Sequence, residues 1–190
     1  MKTTIARRPS LLRGFVTGML GGVVGSWFMT EFHVALYGGG VTHVREPQSH
    51  RPIDGDDDAT TKAADVLTRA ATGQYLARRG KQVGGPLVHY MFGAVMGAAY
   101  GVASEFAPRV RTGSGAAFGA VVWLGADELL MPVLNLARGP RTYPPSIHLE
   151  MLAAHLVYGA ATDRVMSALA CYPRDSGGRA ARTADHRSAR

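Results

Sequence analysis

Four long apolar segments constrain the fold of this chain more than any other feature. They run from about Leu11 to Tyr37, Pro86 to Phe106, Gly113 to Leu136 and Ile147 to Ala170, and each contains 21 to 27 residues. About 20 residues of α-helix, at a rise of about 1.5 Å each, cross a hydrocarbon core of roughly 30 Å. The sequence therefore predicts an all-α integral membrane protein with four spans. Because each segment also carries ionisable residues, a water-soluble four-helix bundle is the alternative.

Glycine is enriched inside these segments. The chain contains 24 glycines in 190 residues, nearly twice the average usage of about 7 per cent. Many recur at intervals of four residues, which places them on nearly the same face of a helix. The intervals relate Gly14, Gly18 and Gly22; Gly93, Gly97 and Gly101; and Gly115 and Gly119, with Gly159 following His155 in the last segment. Because lipid provides little hydrophobic drive between helices, we expect small-xxx-small packing to hold a four-helix bundle together.

The connection between the first two spans, residues 38–85, is the longest in the chain. It begins with a segment rich in glycine, proline and charged residues, and the spacing of apolar residues changes afterwards. From Ala59 to Arg79 this spacing predicts an amphipathic helix capped by Asp58 or Thr60, lying against the membrane or the bundle. Pro86 is expected in the opening turn of the second span, and Ser146 as the cap of the fourth.

The distribution of lysine and arginine predicts the orientation in the membrane. With an even number of spans, both termini lie on one side, which carries 12 of these residues against nine on the other. Positive residues favour the cytoplasmic side, so we expect basic cytoplasmic termini at 1–10 and 171–190, the second disordered, and an extracytoplasmic loop at 38–85. The predicted membrane domain spans residues 11–170. The net charge of +7 is not accompanied by a nucleic-acid-binding motif, which favours the lipid bilayer as partner.

Two acidic residues in the third segment are candidates for function. Asp127 and Glu128 precede Pro132, and a proline lacks the amide that would bond the Glu128 carbonyl in an α-helix. Charged residues inside a membrane are costly and usually face the protein interior or a watery cavity. These residues could therefore bind a cation or pass a proton. Alternatively, the helix ends near Met131 and both acids lie at the membrane interface.

Histidines are the second group of candidates, because imidazole titrates near neutral pH and binds metals. His89 and His155 begin equivalent lines of small residues, and His148 lies seven residues before His155. Hydrogen bonding between helices is the alternative role. The predicted intramembrane polar site comprises Glu31, His89, Asp127, Glu128, His148 and His155. We predict no metal and no cofactor, since paired metal-ligand motifs are missing and Cys171 is the single cysteine.

Two short motifs occur twice. Trp27 and Glu31 share the spacing W-x-x-x-acid with Trp123 and Asp127, and HYMFGA at 89–94 is similar to HLVYGA at 155–160. One interpretation is a tandem repeat of two helices, in which both copies have the same orientation in the membrane. The other interpretation is chance similarity between short apolar segments.

The order and spacing of longer motifs carry a family resemblance. The sequence contains HYMFGAVMGAAYG, Glu105, Ala107, Pro108, Phe118, Gly119, WLGADE, Pro132, Tyr143, Pro144, Ser146, His148 and HLVYG. In that order these motifs resemble DUF1440, a family of uncharacterised bacterial membrane proteins that includes YagU-like proteins, over roughly residues 60–170. The resemblance implies an integral inner-membrane protein and, for the YagU-like members, a link to acid-stress survival. It implies no reaction, substrate, cofactor or catalytic residue.

Three classes of function follow. The first is a structural or stress-related module of the bacterial inner membrane, self-associating, whose polar groups join helices. The second is a small channel or a proton- or cation-coupled transporter that uses Glu31, Asp127, Glu128, His89 and His155. The third is a metal-dependent membrane enzyme. Because the chain contains none of the common catalytic motifs, the sequence predicts no enzymatic activity and no catalytic residue.

Overall fold

A computed structural model describes residues 9–37 and 57–171, and every secondary-structure element in those ranges is helical. Residues 1–8, 38–56 and 172–190 lie outside the described ranges. Most of the two predicted basic tails and the first part of the predicted extracytoplasmic loop are therefore not described. The prediction of an all-α chain is confirmed for the described residues.

The described ranges contain six α-helices. Helix α1 is Leu11–Tyr37, α2 is Ala59–Thr72, α3 is Arg78–Phe106, α4 is Ala116–Trp123, α5 is Met131–Val133 and α6 is Pro145–Cys171. Between α4 and α5, Leu124–Leu130 forms a π-helical segment that continues the same rod. Two 3-10 turns, Pro108–Arg111 and Pro140–Thr142, lie in the connections before α4 and α6.

Three stretches are long and apolar enough to cross a membrane: Leu11–Leu36, Arg78–Phe106 and Ala116–Val133. These stretches overlap the first three predicted spans and are compatible with a membrane protein. Helix α6 contains 27 residues and overlaps the predicted fourth span, but it is not among the three. A fourth span therefore stays a prediction.

Helix α1 packs against both α3 and α6, while α4 packs on α6 and α2 packs on α3. Buried residues between the helices include Ser26, Thr162 and Asp163. Apolar side chains such as Met29, Tyr100 and Val122 are buried as well. Many other large apolar side chains lie on the outside, among them Leu12, Phe15, Trp27, Leu87, Met91, Val95, Val121 and Leu149. Large exposed apolar surfaces mark sites of contact with a membrane or with another protein.

Glycines lie where α1 approaches α3. Gly14 faces Gly101, Gly18 faces Gly97, and Gly22 faces Gly93. A Cβ atom built on Gly14 would lie 2.6 Å from the Gly101 carbonyl oxygen, which is closer than real Cβ atoms approach. A side chain at these positions would therefore force the two backbones apart.

Helix α6 has glycine contacts with two other helices. Gly115 faces Gly159 and Gly119 faces the carbonyl of His155, so that α4 lies close to α6. Gly21 and Gly25 of α1 face Thr162 and Tyr158 of α6, and a Cβ on either would lie 2.8 Å from a backbone oxygen of α6. The sequence analysis did not select Gly21 and Gly25, although they too are four residues apart.

The structure corrects two predicted helix starts. Helix α3 begins at Arg78, which places Pro86 inside the helix. This early start is supported by α2, because the Asp65 carboxylate accepts a hydrogen bond from the backbone amide of Leu76 at 2.6 Å, just before α3. Helix α6 begins at Pro145, so Ser146 lies in its first turn and does not precede it.

Helix α2 is shorter than predicted. The Asp58 side chain caps its N-terminus and accepts a hydrogen bond from the Thr61 amide at 2.6 Å, as one of the two predicted caps. The helix ends at Thr72 because Gly73 adopts a left-handed conformation with φ 76°, which favours glycine. Its buried residues Thr61 and Ala64 face α3, where they contact Gly85 and Gly84. The helix thus lies against the bundle.

The two proposed repeats differ in register. If His89 is aligned with His155, Gly93 is aligned with Gly159. The contact between Gly22 and Gly93 then corresponds to the contact between Gly115 and Gly159. That match relates Gly22 to Gly115, whereas the tryptophan motif relates Trp27 to Trp123. The two alignments differ by about one helical turn. The tandem repeat stays a prediction, and it requires this shift between its two halves.

Candidate functional site

A cavity of about 290 Å³ lies between α1, α3, the π-helical segment and α6, and the first turn of α2 contributes to its wall. Apolar residues such as Met29, Phe92 and Val122 form much of this wall. The cavity is nevertheless bordered by several polar side chains: Ser26, Thr30, His33, Asp58, Thr60, His89, Asp127, His155 and Tyr158. Because these residues come from five helical segments, their convergence is a property of the fold.

The π-helical segment positions the two acidic residues. Pro132 has no amide to donate to the Glu128 carbonyl, and the chain widens before it, with the Met131 amide donating to the Ala126 carbonyl five residues earlier. In this geometry Asp127 borders the large cavity, and both Asp127 and Glu128 border a second cavity of about 50 Å³. Isolated π-helical turns occur frequently at functional sites.

His155 is buried beside Asp127. Its Nδ1 atom lies 2.9 Å from the Met151 carbonyl oxygen, which can only accept, so Nδ1 carries a hydrogen and donates it. The same nitrogen lies 3.7 Å from Oδ2 of Asp127. Because Nδ1 is already protonated, the remaining ring nitrogen, Nε2, is the atom that can take up a proton. An imidazolium at this position would face a carboxylate.

His148 and Glu128 form a close pair at the second cavity. The Nε2 atom of His148 donates to the Pro140 carbonyl at 2.9 Å, and Nδ1 lies 2.6 Å from Oε1 of Glu128. Because Nε2 must carry a hydrogen, a hydrogen bond between Nδ1 and the carboxylate requires one further proton. With that proton the pair is either an imidazolium with a carboxylate or a neutral imidazole with a carboxylic acid.

A third pair joins α1 to α6. The Nε2 atom of His33 lies 4.0 Å from Oε1 of Glu150, and both side chains are largely buried. The sequence analysis did not include either residue in the predicted polar site. The sequence did place both residues next to members of that site, since His33 follows Glu31 in the TEFH stretch and Glu150 lies two residues after His148. Sequence alone does not show that the end of α1 meets the start of α6.

The structure brings some of the predicted residues together and separates others. His89, Asp127 and His155 border the large cavity, while Glu128 and His148 border the second. Asp127 borders both cavities and connects the two groups. The sixth predicted residue, Glu31, is exposed on α1 and borders neither of them. Its inclusion in the site is therefore not supported.

A different kind of ion pair joins the start of α1 to the end of α3. The Nε atom of Arg13 donates to Oε1 of Glu105 at 2.8 Å, and Nη2 of Arg13 approaches the other carboxylate oxygen at 2.5 Å. The backbone amide of Ser10 donates to Oε2 of Glu105 at 3.1 Å. This bidentate geometry fixes the two helix ends together.

A second arginine pair lies in the same part of the bundle. The Asp163 carboxylate is buried and accepts hydrogen bonds from the Tyr100 hydroxyl at 2.8 Å and from Nε of Arg111 at 2.7 Å. The hydrogen bond to Asp163 raises the pKa of Arg111, while burial acts in the opposite direction. Arg111 also donates to the Ser167 hydroxyl. Asp163 is thus a buried acceptor that joins α6 to α3 and to the loop before α4.

Metal binding receives no geometric support. In the part of the chain that the structure describes, no three His, Cys, Asp or Glu side chains are arranged so that they could hold a metal ion. His33, His148 and His155 each lie beside a single carboxylate.

A comparison with protein-family models identifies the family of the chain. The family model DUF1440, described as a protein of unknown function, matches residues 67–164. This range includes His89, Asp127, Glu128, His148 and His155, and it excludes α1. The family resemblance inferred from the motifs is confirmed, while the narrower YagU-like assignment stays a prediction. Neither a search of curated proteins nor a search of solved structures gave a match.

Proposed function

The chain belongs to the DUF1440 family, and from this premise we propose that it is an integral membrane module that takes up protons at the end where the histidines lie. In this proposal it is a non-enzymatic, stress-related protein of the bacterial inner membrane. Its partners are the lipid bilayer and further copies of the same chain, and both termini lie in the cytoplasm. The observation that carries the proposal is the grouping of three histidine–carboxylate pairs around two adjoining cavities.

Membrane insertion is supported by the distribution of side chains. The three stretches long enough to span carry outward-facing apolar residues such as Phe15, Met91 and Val121. Helix α6 packs against α1 and α4 and is long enough to cross a bilayer as a fourth span. The glycines between these helices would then serve as small-xxx-small contacts, because close backbone packing is what lipid-embedded helices can use.

Proton uptake is supported by the chemistry of the pairs. Histidine changes charge near pH 6.5 when unperturbed, so mild acidification is enough to protonate it. Acidic, basic and histidine side chains face the two cavities from every element around them. They are His33 on α1, Asp58 before α2, His89 on α3, Asp127 and Glu128 in the π-helical segment, Arg138 in the following loop, and His148 and His155 on α6. Glu150 is paired to His33. Acidification converts neutral imidazoles beside carboxylates into ion pairs, which ties α6 to α1 and to the π-helical segment.

The test is the pH dependence of stability. We expect the free energy of unfolding in detergent to increase between about pH 8 and about pH 6 in the natural protein, since folding brings imidazolium and carboxylate together. Asp127→Asn combined with Glu128→Gln should flatten this dependence. Glu105→Gln, which removes a carboxylate facing an arginine, should lower stability equally at both pH values. A double variant with the natural pH dependence would contradict the proposal.

A channel or proton-coupled transporter is the second candidate. Asp127 favours it, because this one carboxylate borders both cavities and could pass a proton between the groups around them. Proton flux into proteoliposomes would be measured for the natural protein, for Asp127→Asn and for Glu31→Gln, an exposed acid that borders neither cavity. Flux that is lost in the first variant and kept in the second supports transport. If the natural protein shows no flux, the transport hypothesis is wrong, and the proton-uptake module remains as the proposal.

A further inference from the structure

We propose that the large cavity is a binding site for an organic cation with an apolar body, such as a protonated amine or a quaternary ammonium ion. The inference goes beyond the proposed function, because it requires neither proton uptake nor transport. It depends on the charge, the wall and the volume of the cavity.

The size and the wall suit a small molecule. A volume of about 290 Å³ lies near the lower end of the range for small-molecule sites, roughly 300–1,000 Å³. Met29, Phe92, Val122 and Met131 provide apolar surface. Such a wall holds an apolar body, and the few polar side chains determine which headgroup is accepted.

The charge of the wall favours a cation. Among the described residues that border the cavity none is Lys or Arg, while two, Asp58 and Asp127, are carboxylates. The Oδ1 atom of Asp58 accepts hydrogen bonds from the backbone amide of Thr61 at 2.6 Å and from the Thr60 hydroxyl at 2.9 Å, so Asp58 already serves as the cap of α2. Asp127 lies 3.7 Å from Nδ1 of His155, which is longer than a hydrogen bond. Asp127 is therefore the group that can pair with an ammonium.

The aromatic wall is also suited to a cation. Phe92 and Tyr158 both border the cavity, and aromatic faces attract ammonium groups. The Tyr158 hydroxyl donates to the Gly93 carbonyl at 2.7 Å, which fixes the ring and occupies its donor. An anionic ligand would face Asp127 without a permanent cation nearby. A neutral apolar ligand would bury this carboxylate unpaired, at a high cost.

The experiment compares three probes that share a benzyl or phenyl ring. Binding of benzyltrimethylammonium, benzoate and benzyl alcohol to the full chain in detergent is measured by calorimetry at about pH 8, where most histidines are neutral. We expect the cation to bind at least about tenfold more tightly than either of the others, as for a charge-assisted contact. Asp127→Asn should remove that advantage, and Glu31→Gln should keep it.

Four results would overturn the proposal. They are equal or tighter binding of benzoate, equal binding of benzyl alcohol, undiminished cation binding to Asp127→Asn, and no binding of the cation to the natural protein. If Asp127→Asn does not fold, Val34→Trp takes its place, because Val34 borders the cavity and is 39% exposed. This variant should weaken cation binding by partly filling the cavity. The pH dependence of stability tests the proposed function separately, since these titrations are made at one pH.

Discussion

The two ends of the helical bundle hold their carboxylates by different chemistry. At one end, Arg13 pairs with Glu105 and Arg111 pairs with Asp163. A guanidinium does not lose its proton in proteins, so these pairs keep their charge at every physiological pH. At the other end three carboxylates face histidines, in the pairs His33–Glu150, His148–Glu128 and His155–Asp127. An imidazole is charged only when it is protonated.

This difference separates fixed from adjustable structure. The arginine pairs join the beginning of α1 to the end of α3, and the loop before α4 to α6. They lie away from the large cavity, which is bordered by the later part of α1 and the earlier part of α3. The histidine pairs lie around the cavities. In the proposed function, permanent ion pairs hold one end of the bundle while protonation changes the other.

The largest expected effect comes from separating α1 and α3, on which both ends depend. A Cβ at Gly97 would lie 2.7 Å from the Gly22 Cα atom. We therefore expect Gly97→Leu to lower the free energy of unfolding by about 3 kcal/mol or more, measured by denaturant titration in detergent. Gly125→Leu is the matched control, because a Cβ there meets nothing within 4 Å. Equal stability of the two variants would contradict close packing between α1 and α3.

The next effect tests the arginine end. Arg111→Met leaves the Asp163 carboxylate, 6% exposed, with Tyr100 but without its cation. Removing one partner of a buried ion pair costs about 3 to 5 kcal/mol, and because Arg111 is partly exposed we expect about 2 kcal/mol. The loss should be the same at about pH 8 and about pH 6. Arg164→Met, at an exposed neighbour, should change little, and a pH-dependent loss in Arg111→Met would remove the distinction between the ends.

A smaller effect tests the histidine end. Glu128→Gln keeps the shape of the side chain but removes the charge that faces Nδ1 of His148. We expect a loss of about 1 kcal/mol near pH 6 and a smaller loss near pH 8, because the lost interaction is with an imidazolium. Chemical denaturation at the two pH values measures both. The reverse order of losses would show that the neutral imidazole is the form that the fold prefers.

The smallest expected effect comes from an exposed ion pair, which serves as the reference for the ion pairs at both ends. Asp57 and Lys81 form an ion pair in which each side chain is 34% exposed. Such pairs contribute little, so Asp57→Asn should lower stability by less than about 0.5 kcal/mol, and salt should reduce even that. Denaturation at low and high salt tests this. A loss as large as that of Arg111→Met would mean that burial does not rank the ion pairs in this protein.

Sequence patterns predicted the helices well where one signal decided the outcome. The bounds of α1 agree with the predicted segment, since its apolar run is long and ends before three glycines. The cap at Asp58 was predicted because its side chain needs only local geometry. The start of α3 was misplaced because Pro86 suits a first turn, whereas tertiary contacts with α2 extend the helix before it.

The candidate site was predicted in part. His89, Asp127 and His155 were selected as ionisable residues in apolar segments, and the structure places them at one cavity. His33 and Glu150 were not selected, because their pairing depends on which helix ends meet. Glu31 was selected for its charge and for the motif that it shares with Asp127, but the rotation of α1 turns it outward. Sequence identifies the ionisable groups, while helix rotation and packing determine which of them converge.

The π-helical segment also has an evolutionary consequence. Its wider turns accommodate one residue more than a regular α-helix of the same length. Deleting a single residue of this segment before Asp127 would restore ordinary α-helical geometry, because the wide turns absorb that residue, and the flanking helices would keep their orientation. Glu128 would then take the position of Asp127 without any substitution. In this protein, a one-codon deletion would thus be enough to change which side chain borders the cavities.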